Sequence, residues 1–490
     1  MTDLHLSDPG TAAAGGASRP SGKPTTEGAG SGAAVEVAAL EVAALEVAAL
    51  EVDVLVIGGG PAGSTAAAFL ARKGRSVLLL EKDRHPRFHI GESLLPMNLP
   101  ILERLGVLDQ VHAIGTYKAG ADFPRADRAD DGSDYNTFRF ERALNPVFPH
   151  AYQVHRAELD HLLFEHARSS GVDAREGVKV ERIEFGVDGR PARVHARTAD
   201  GGALEVAPRY VVDASGRDTF LGNRFKLKRK NDKHQSAAIF SHFDGVARRP
   251  GEDSGNITVQ RFDHGWMWLI PLPRGMMSIG AVCFPSYLKQ RRGENEGFLM
   301  QTLLGEPQVA ERMQGATRVA PVHVTGNYAY GCTRMAGPGW VMAGDAYAFV
   351  DPIFSSGVYL AMDSAEQAAD VVDGALRDPA REAALQAAMA RRSTRGLRWF
   401  QWFIYRFNTP VMKHLFNNPR NTWQVEQAVI SMLAGDVFDN PAVLKRLRVF
   451  RLIYALTSLQ LAPRAFRGWL RRRRAATHGF SGDTLQQGNP

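Results

Sequence analysis

The sequence predicts an α/β fold in which a βαβ lobe is interleaved with a mixed β-sheet lobe and followed by a helical C-terminal extension. Three observations predict it. The apolar run Asp53-Val54-Leu55-Val56-Ile57 leads through Gly58-Gly59-Gly60-Pro61-Ala62-Gly63 into an alanine-rich stretch ending near Lys73, the order of strand, tight turn and helix. Strand patterns return at 76–80, 178–183, 210–213 and 340–343. Beyond residue 376 the pattern turns helical, with Trp399, Phe403 and Phe407 at i, i+4 and i+8.

In the first unit, Gly58 permits the tight turn, Gly60 lets a pyrophosphate approach the backbone, and Gly63 lets the helix pack closely on the strand. The helix N-terminus then faces the phosphates. Glu81 ends the second apolar run 18 residues after Gly63, where a carboxylate can accept both ribose hydroxyls. A Rossmann-like, dinucleotide-binding lobe is expected, with Gly58, Gly60, Ala62, Gly63 and Glu81 as its candidate contacts. Two later strings add candidates. Tyr152-Gln153-Val154-His155-Arg156 opens a helix expected to run to about Gly171, and Ala343-Gly344-Asp345-Ala346 follows a strand and delivers a carboxylate toward a ribityl chain. After it, Asp351-Pro352-Ile353-Phe354-Ser355-Ser356-Gly357 opens a helix from about 358 to 376, whose first N–H groups can face a flavin ring or an anion.

Composition sets the outer limits. A chain of 490 residues with 44% apolar content can bury a large core and divides into two or three lobes. We expect a low-complexity tail at 1–51, in which EVAAL repeats three times from Glu36 to Leu50. The period of five gives no continuous helical stripe. The dinucleotide-binding module is expected at 52–376 with an inserted sheet at about 226–325, then a helical region at 377–482 and a tail at 483–490. Cys283 and Cys332 stand far apart without ligand-like spacing, so neither a disulfide framework nor a zinc site is suggested, and a reducing, cytoplasmic setting is expected. No apolar run approaches the roughly 20 residues needed to span a bilayer, and no nucleic-acid motif is present.

Charge is unevenly placed. Lys445, Arg446, Arg448, Arg451, Arg464, Arg467 and Arg471 to Arg474 occur with no Asp or Glu between residues 441 and 482; without these ten the formal charge of +7 becomes −3. Arg446, Arg448 and Arg451 alternate with apolar residues as in an amphipathic helix. This segment is a solvated face with a basic tail, a surface for an acidic protein partner, or a contact to membrane or nucleic acid, the last without a motif to support it.

Taken together, Gly91-Glu92-Ser93-Leu94-Leu95-Pro96, Gly265-Trp266-Met267-Trp268-Leu269-Ile270-Pro271 and the 351–357 string resemble the flavin-dependent halogenases, within the wider group of FAD-dependent aromatic hydroxylases and geranylgeranyl reductases. The resemblance covers roughly residues 53–376. Tyr405-Arg406-Phe407, Asn417-Asn418-Pro419 and Leu433-Ala434-Gly435-Asp436 look like the helical extension of those halogenases that act on phenols and pyrroles. The second flavin string reads Asp213-Ala214-Ser215-Gly216, which breaks the Asp-Gly pair of single-component hydroxylases, and no second GxGxxG follows a strand. The resemblance therefore implies FAD supplied as FADH2 by a separate flavin reductase, and chloride or bromide converted to hypohalous acid.

It also assigns roles. Lys118 lies 26 residues after Glu92, at the place of the family lysine that carries or aims the oxidant; from the residues alone it is equally a surface lysine before a strand. Trp266 and Trp268 would shield the flavin from substrate, or else pack a half-buried strand. Ser356 and Gly357 would contact the halide through backbone N–H groups, or serve the flavin alone. Phe354 stands where tryptophan halogenases carry a glutamate, which points to a phenol or pyrrole, free or tethered to an acidic acyl or peptidyl carrier protein. The competing readings are an aromatic monooxygenase or geranylgeranyl-reductase-like oxidoreductase, and a non-catalytic flavoprotein that binds a partner.

Overall fold

In a computed structural model of the chain, the strand that leads into the glycine string is Leu50–Ile57, whose first residue closes the last EVAAL unit. Residues 49–125, 134–231, 236–326 and 329–478 are described, with side chains of the last helix described to residue 461. The repeats before residue 49 and the tail at 483–490 lie outside the described residues. Pro61–Arg72 follows as a helix, with Gly60 at its N-cap and Pro61 in its first turn, where a missing N–H costs nothing.

The first sheet orders its main strands Ala336–Gly337, Trp340–Met342, Ala203–Asp213, Leu50–Ile57, Val77–Glu81 and Asp173–Glu176. Leu50–Ile57 pairs in parallel with Ala203–Asp213 and with Val77–Glu81. Its central residues Val54 to Ile57 are buried, as are all five of Val77–Glu81. Both faces of this parallel sheet are covered, by two separate cores, which is why residues 54–57 and 77–80 read as unbroken apolar runs. The helices Pro61–Arg72, Arg156–Ser169 and Gly357–Arg377 contribute to the core on one side. The expected helix to Gly171 is thus Arg156–Ser169, and the one at 358–376 is Gly357–Arg377.

The second sheet runs Thr317–Arg318, Ala237–Asp244, Met277–Cys283, Gly265–Pro271, Ile257–Phe262, Gly120–Pro124 and Tyr135–Arg139. The sheet expected within 226–325 therefore draws two strands from before the insert. Alternation decides its faces. Ala238, Phe240, Val259, Trp266, Trp268 and Val282 join the core shared with the helices, while Ile239, Met267, Leu269, Ile279 and Ala281 form a separate core with Phe298 and Leu303 behind the sheet. The C-terminal region comprises Glu382–Ile404, Pro410–Asn417, Val425–Leu433 and Pro441–His478. Trp399, Phe403 and Phe407 are buried core, and Phe407 lies beyond the end of the helix that holds the other two.

Candidate active site

A cavity of about 1210 Å³ opens at the C-terminal ends of the parallel strands, lined among others by Gly58, Gly60, Glu81, Arg87, Arg156, Trp266, Trp268, Asp345, Ser355 and Gly357. Its glycines have different reasons to be glycine. Gly58 has φ +99°, and a Cβ there would lie 2.5 Å from the Ala214 carbonyl oxygen; one on Gly63 would lie 1.7 Å from the Gly58 carbonyl oxygen. Both are demanded by the protein's own packing. A Cβ on Gly60 would meet only Arg87 Nη2, at 3.5 Å. The space above Gly60 belongs to the cavity, as a pyrophosphate seat requires. Ala62 is small, buried and among the lining residues.

Glu81 accepts hydrogen bonds from the Gly59 N–H at 2.6 Å and the Asp83 N–H at 2.9 Å, fixing its carboxylate at the cavity edge. Arg156 grips Asp160 through Nε at 2.8 Å and Nη2 at 3.0 Å, and donates to the Ile90 carbonyl through Nη1 at 2.8 Å. Burial pushes the Asp160 carboxyl up, but the Arg156 charge outweighs it and leaves the group below its usual range. Asp345 has no such grip. Burial pushes its carboxyl up to about 6 against the pull of Arg156 and Arg217. Asp213 is turned inward instead, accepting from the Ser215 and Leu221 N–H groups at 3.0 and 2.7 Å.

Trp266 and Trp268 stand on one face of the all-buried strand Gly265–Pro271, their ring centroids 5.8 Å apart. Trp268 donates to Ser278 Oγ at 3.1 Å. Its ring also fills the place where a Cβ on Gly280 would come within 2.4 Å, so the neighbouring strand makes room for it. Asp351 accepts from the Trp266 side chain; burial raises its carboxyl to about 6. Residues from two separate strings therefore fix one wall of the cavity.

The turn before the long helix Gly357–Arg377 places Ser355 at φ +56°. Ser356 is fully buried and its Oγ has no hydrogen-bond partner; Gly357 reaches the cavity, and a Cβ there would meet nothing within 4 Å. A helix start with unpaired N–H groups and no acidic residue in its first turn is an electropositive corner. Phe354 is buried and meets Phe407 edge-on at 5.7 Å.

Lys118 does not line this cavity. It ends the strand Thr116–Lys118 and is 1% exposed, so it is no surface lysine. Its Nζ donates to Ser93 Oγ and the Leu94 carbonyl, each at 2.9 Å, and lies 5.3 Å from the centre of the Phe140 ring. Burial without a carboxylate partner lowers the amine to about 7. In the sequence, Glu92-Ser93-Leu94 is only part of a family-like string. The structure shows that Ser93 and Leu94 position the amine, while buried Glu92 lines the cavity and sits 2.8 Å from His242 Nε2. Arg87, near both Glu81 and Asp160, carried no signal in the sequence.

The family described as the FAD binding domain matches residues 51–402. The flavin-dependent halogenase rdc2 of Metacordyceps chlamydosporia is 32% identical over 66% of this chain; the match spans 65% of that relative's length. The 1H-pyrrole-2-carbonyl-[peptidyl-carrier protein] chlorinase of Pseudomonas fluorescens is 30% identical, over 81% of this chain and 91% of its own. Among solved structures, the flavin-dependent brominase Bmp2 superposes with a TM-score of 0.72 at 26% identity, covering 82% of this chain and 99% of that one.

Proposed function

Because this chain belongs to the flavin-dependent halogenases and is an FAD-dependent oxidoreductase, we propose that it halogenates an electron-rich aromatic ring, a phenol or pyrrole, in natural-product biosynthesis. Reduced FAD from a separate cytoplasmic flavin reductase, dioxygen, a proton and chloride or bromide would give oxidised FAD, water and hypohalous acid. Gly60, Glu81, Arg156 and Asp345 would hold the FAD, and bound FADH2 supplies the two electrons. Ser356 and Gly357 would hold the halide at the helix start.

The observation that carries this reading is Lys118. A buried amine lowered to about 7 is in good part neutral at neutral pH. It can take X⁺ from hypohalous acid, forming N–X and releasing water, or hydrogen-bond the intact acid and aim it. In either route a C–X bond forms on the ring, the N–X or O–X bond breaks, and the ring loses its proton. Trp266 and Trp268 would keep the ring off the flavin while the small oxidant passes. Phe354 offers no carboxylate to steady a cationic ring intermediate, so the substrate must supply that stabilisation from its own electron-releasing group.

A substrate tethered to an acidic carrier protein is the alternative to a free one, supported by what the pyrrole chlorinase is named for. The basic segment supports it in altered form. Arg446 bonds to Gln424 and Arg451 stacks on Trp399 at 4.0 Å, so these two serve the protein's own packing. Lys445 and Arg448 are exposed, on the same helix as exposed Leu452, Leu456 and Leu459. The test is to supply FAD, a flavin reductase, NADH, oxygen and halide to free and carrier-bound phenols and pyrroles. Products with halogen isotope patterns are expected; hydroxylated products alone would overturn the reading.

A further inference from the structure

Arg261 is the cross-strand partner of Trp266 in the antiparallel pair of Ile257–Phe262 with Gly265–Pro271. Directly opposed residues share a face, so its side chain leaves the sheet on the side of the tryptophans. There the guanidinium carbon lies 3.8 Å from the centre of the Phe407 ring, 5.5 Å from that of Phe416 and 6.0 Å from that of Phe123. Phe407 in turn touches Phe354, next to the proposed halide corner. Arg261 Nε and Nη2 are buried and have no hydrogen-bond partner, and among the described residues no carboxylate pairs with it. Burial alone lowers the group to about 9.

A guanidinium presents five N–H donors in a planar fork matched to a carboxylate. Leaving such donors buried and unmatched is costly to the fold, and three phenylalanine rings repay only part of it. By contrast, Arg156 is paired with Asp160 and Arg392 with Asp363. We propose that Arg261 is a substrate-anchoring residue that receives a carboxylate borne by the aromatic substrate. The ring of that substrate would take up the stacking contact that Phe407 now makes. The proposal rests on the halogenase reading for which face of the sheet meets substrate.

The test is calorimetric titration of the FAD-loaded protein with pyrrole-2-carboxylate and salicylate, each against its methyl ester. The free acids should bind at least about tenfold more tightly than the esters. Arg261→Met should erase that preference while leaving FAD content intact and the melting temperature unlowered, and Arg261→Lys, which keeps the charge without the fork, should retain part of it. Equal affinity for acid and ester in the unaltered protein, failure of either acid to bind, or an undiminished preference in Arg261→Met would overturn the proposal. If Arg261→Met does not fold, the acid-to-ester ratios of the unaltered protein and Arg261→Lys decide. Binding is read without turnover, so a protein that prefers the acids yet yields only hydroxylated products would overturn the halogenase reading and not this one.

Discussion

An amine enclosed as Lys118 is works against the fold in proportion to how far burial has lowered it. The unfolded chain holds this proton up to about pH 10.5, whereas the folded protein releases it near 7. Between those values the unfolded state binds more protons, so the contribution of this group to stability improves as pH rises from 7 to 10.5 and is worst below 7. Lys118→Met should therefore raise stability at or below pH 7, by up to roughly 4 to 5 kcal/mol before the loss of the bonds to Ser93 and Leu94 is counted, and the gain should shrink toward pH 10. Thermal melts across that range check it; a variant less stable at pH 6 than the parent would show that the amine is held by something other than burial. At this scale the sequence pointed to Lys118 through its spacing from Glu92 and was silent about its enclosure. Burial of Lys118 depends on Ser93, Leu94 and Phe140 converging from other parts of the chain, which no local pattern encodes.

The glycine turn separates two demands that one motif merges. Gly63 is required by the protein's own backbone packing, whereas nothing in the protein's packing requires Gly60, and its proposed demand is the cofactor. Gly60→Ala should fold and melt close to the parent as apoprotein, yet bind FAD about tenfold or more weakly. Gly63→Ala should lose several kcal/mol of stability even without FAD, since its Cβ would overlap backbone. Apoprotein melts and flavin titration distinguish them, and equal behaviour of the two variants would contradict the assignment. Elements of this kind were legible because period and turn chemistry are local. The second sheet was less so. Gly120–Pro124 joins Ile257–Phe262 across more than a hundred residues, and its pattern gives no sign of that partner. The basic helix was misleading in detail, because sequence alternation could not show that Arg451 would stack inward on Trp399 and Trp402 while Leu452, Leu456 and Leu459 face out.

Across the described molecule, the two large sheets and the short strand that carries Lys118 divide the proposed labour. The parallel sheet carries the glycine turn and the FAD seat, the mixed sheet presents the tryptophan wall, and the buried Lys118 lies outside the cavity that this wall bounds. On the proposed mechanism, oxidant formed in one compartment is used in another, so oxidation of reduced flavin and halogenation should be separable by one substitution. With FAD, a flavin reductase, NADH, oxygen and halide supplied, Lys118→Ala should consume reduced flavin at the parental rate while halogenated product falls at least about a hundredfold. If Lys118→Ala halogenates as well as the parent, the central claim that oxidant passes from the flavin cavity to the ring by way of Lys118 is wrong.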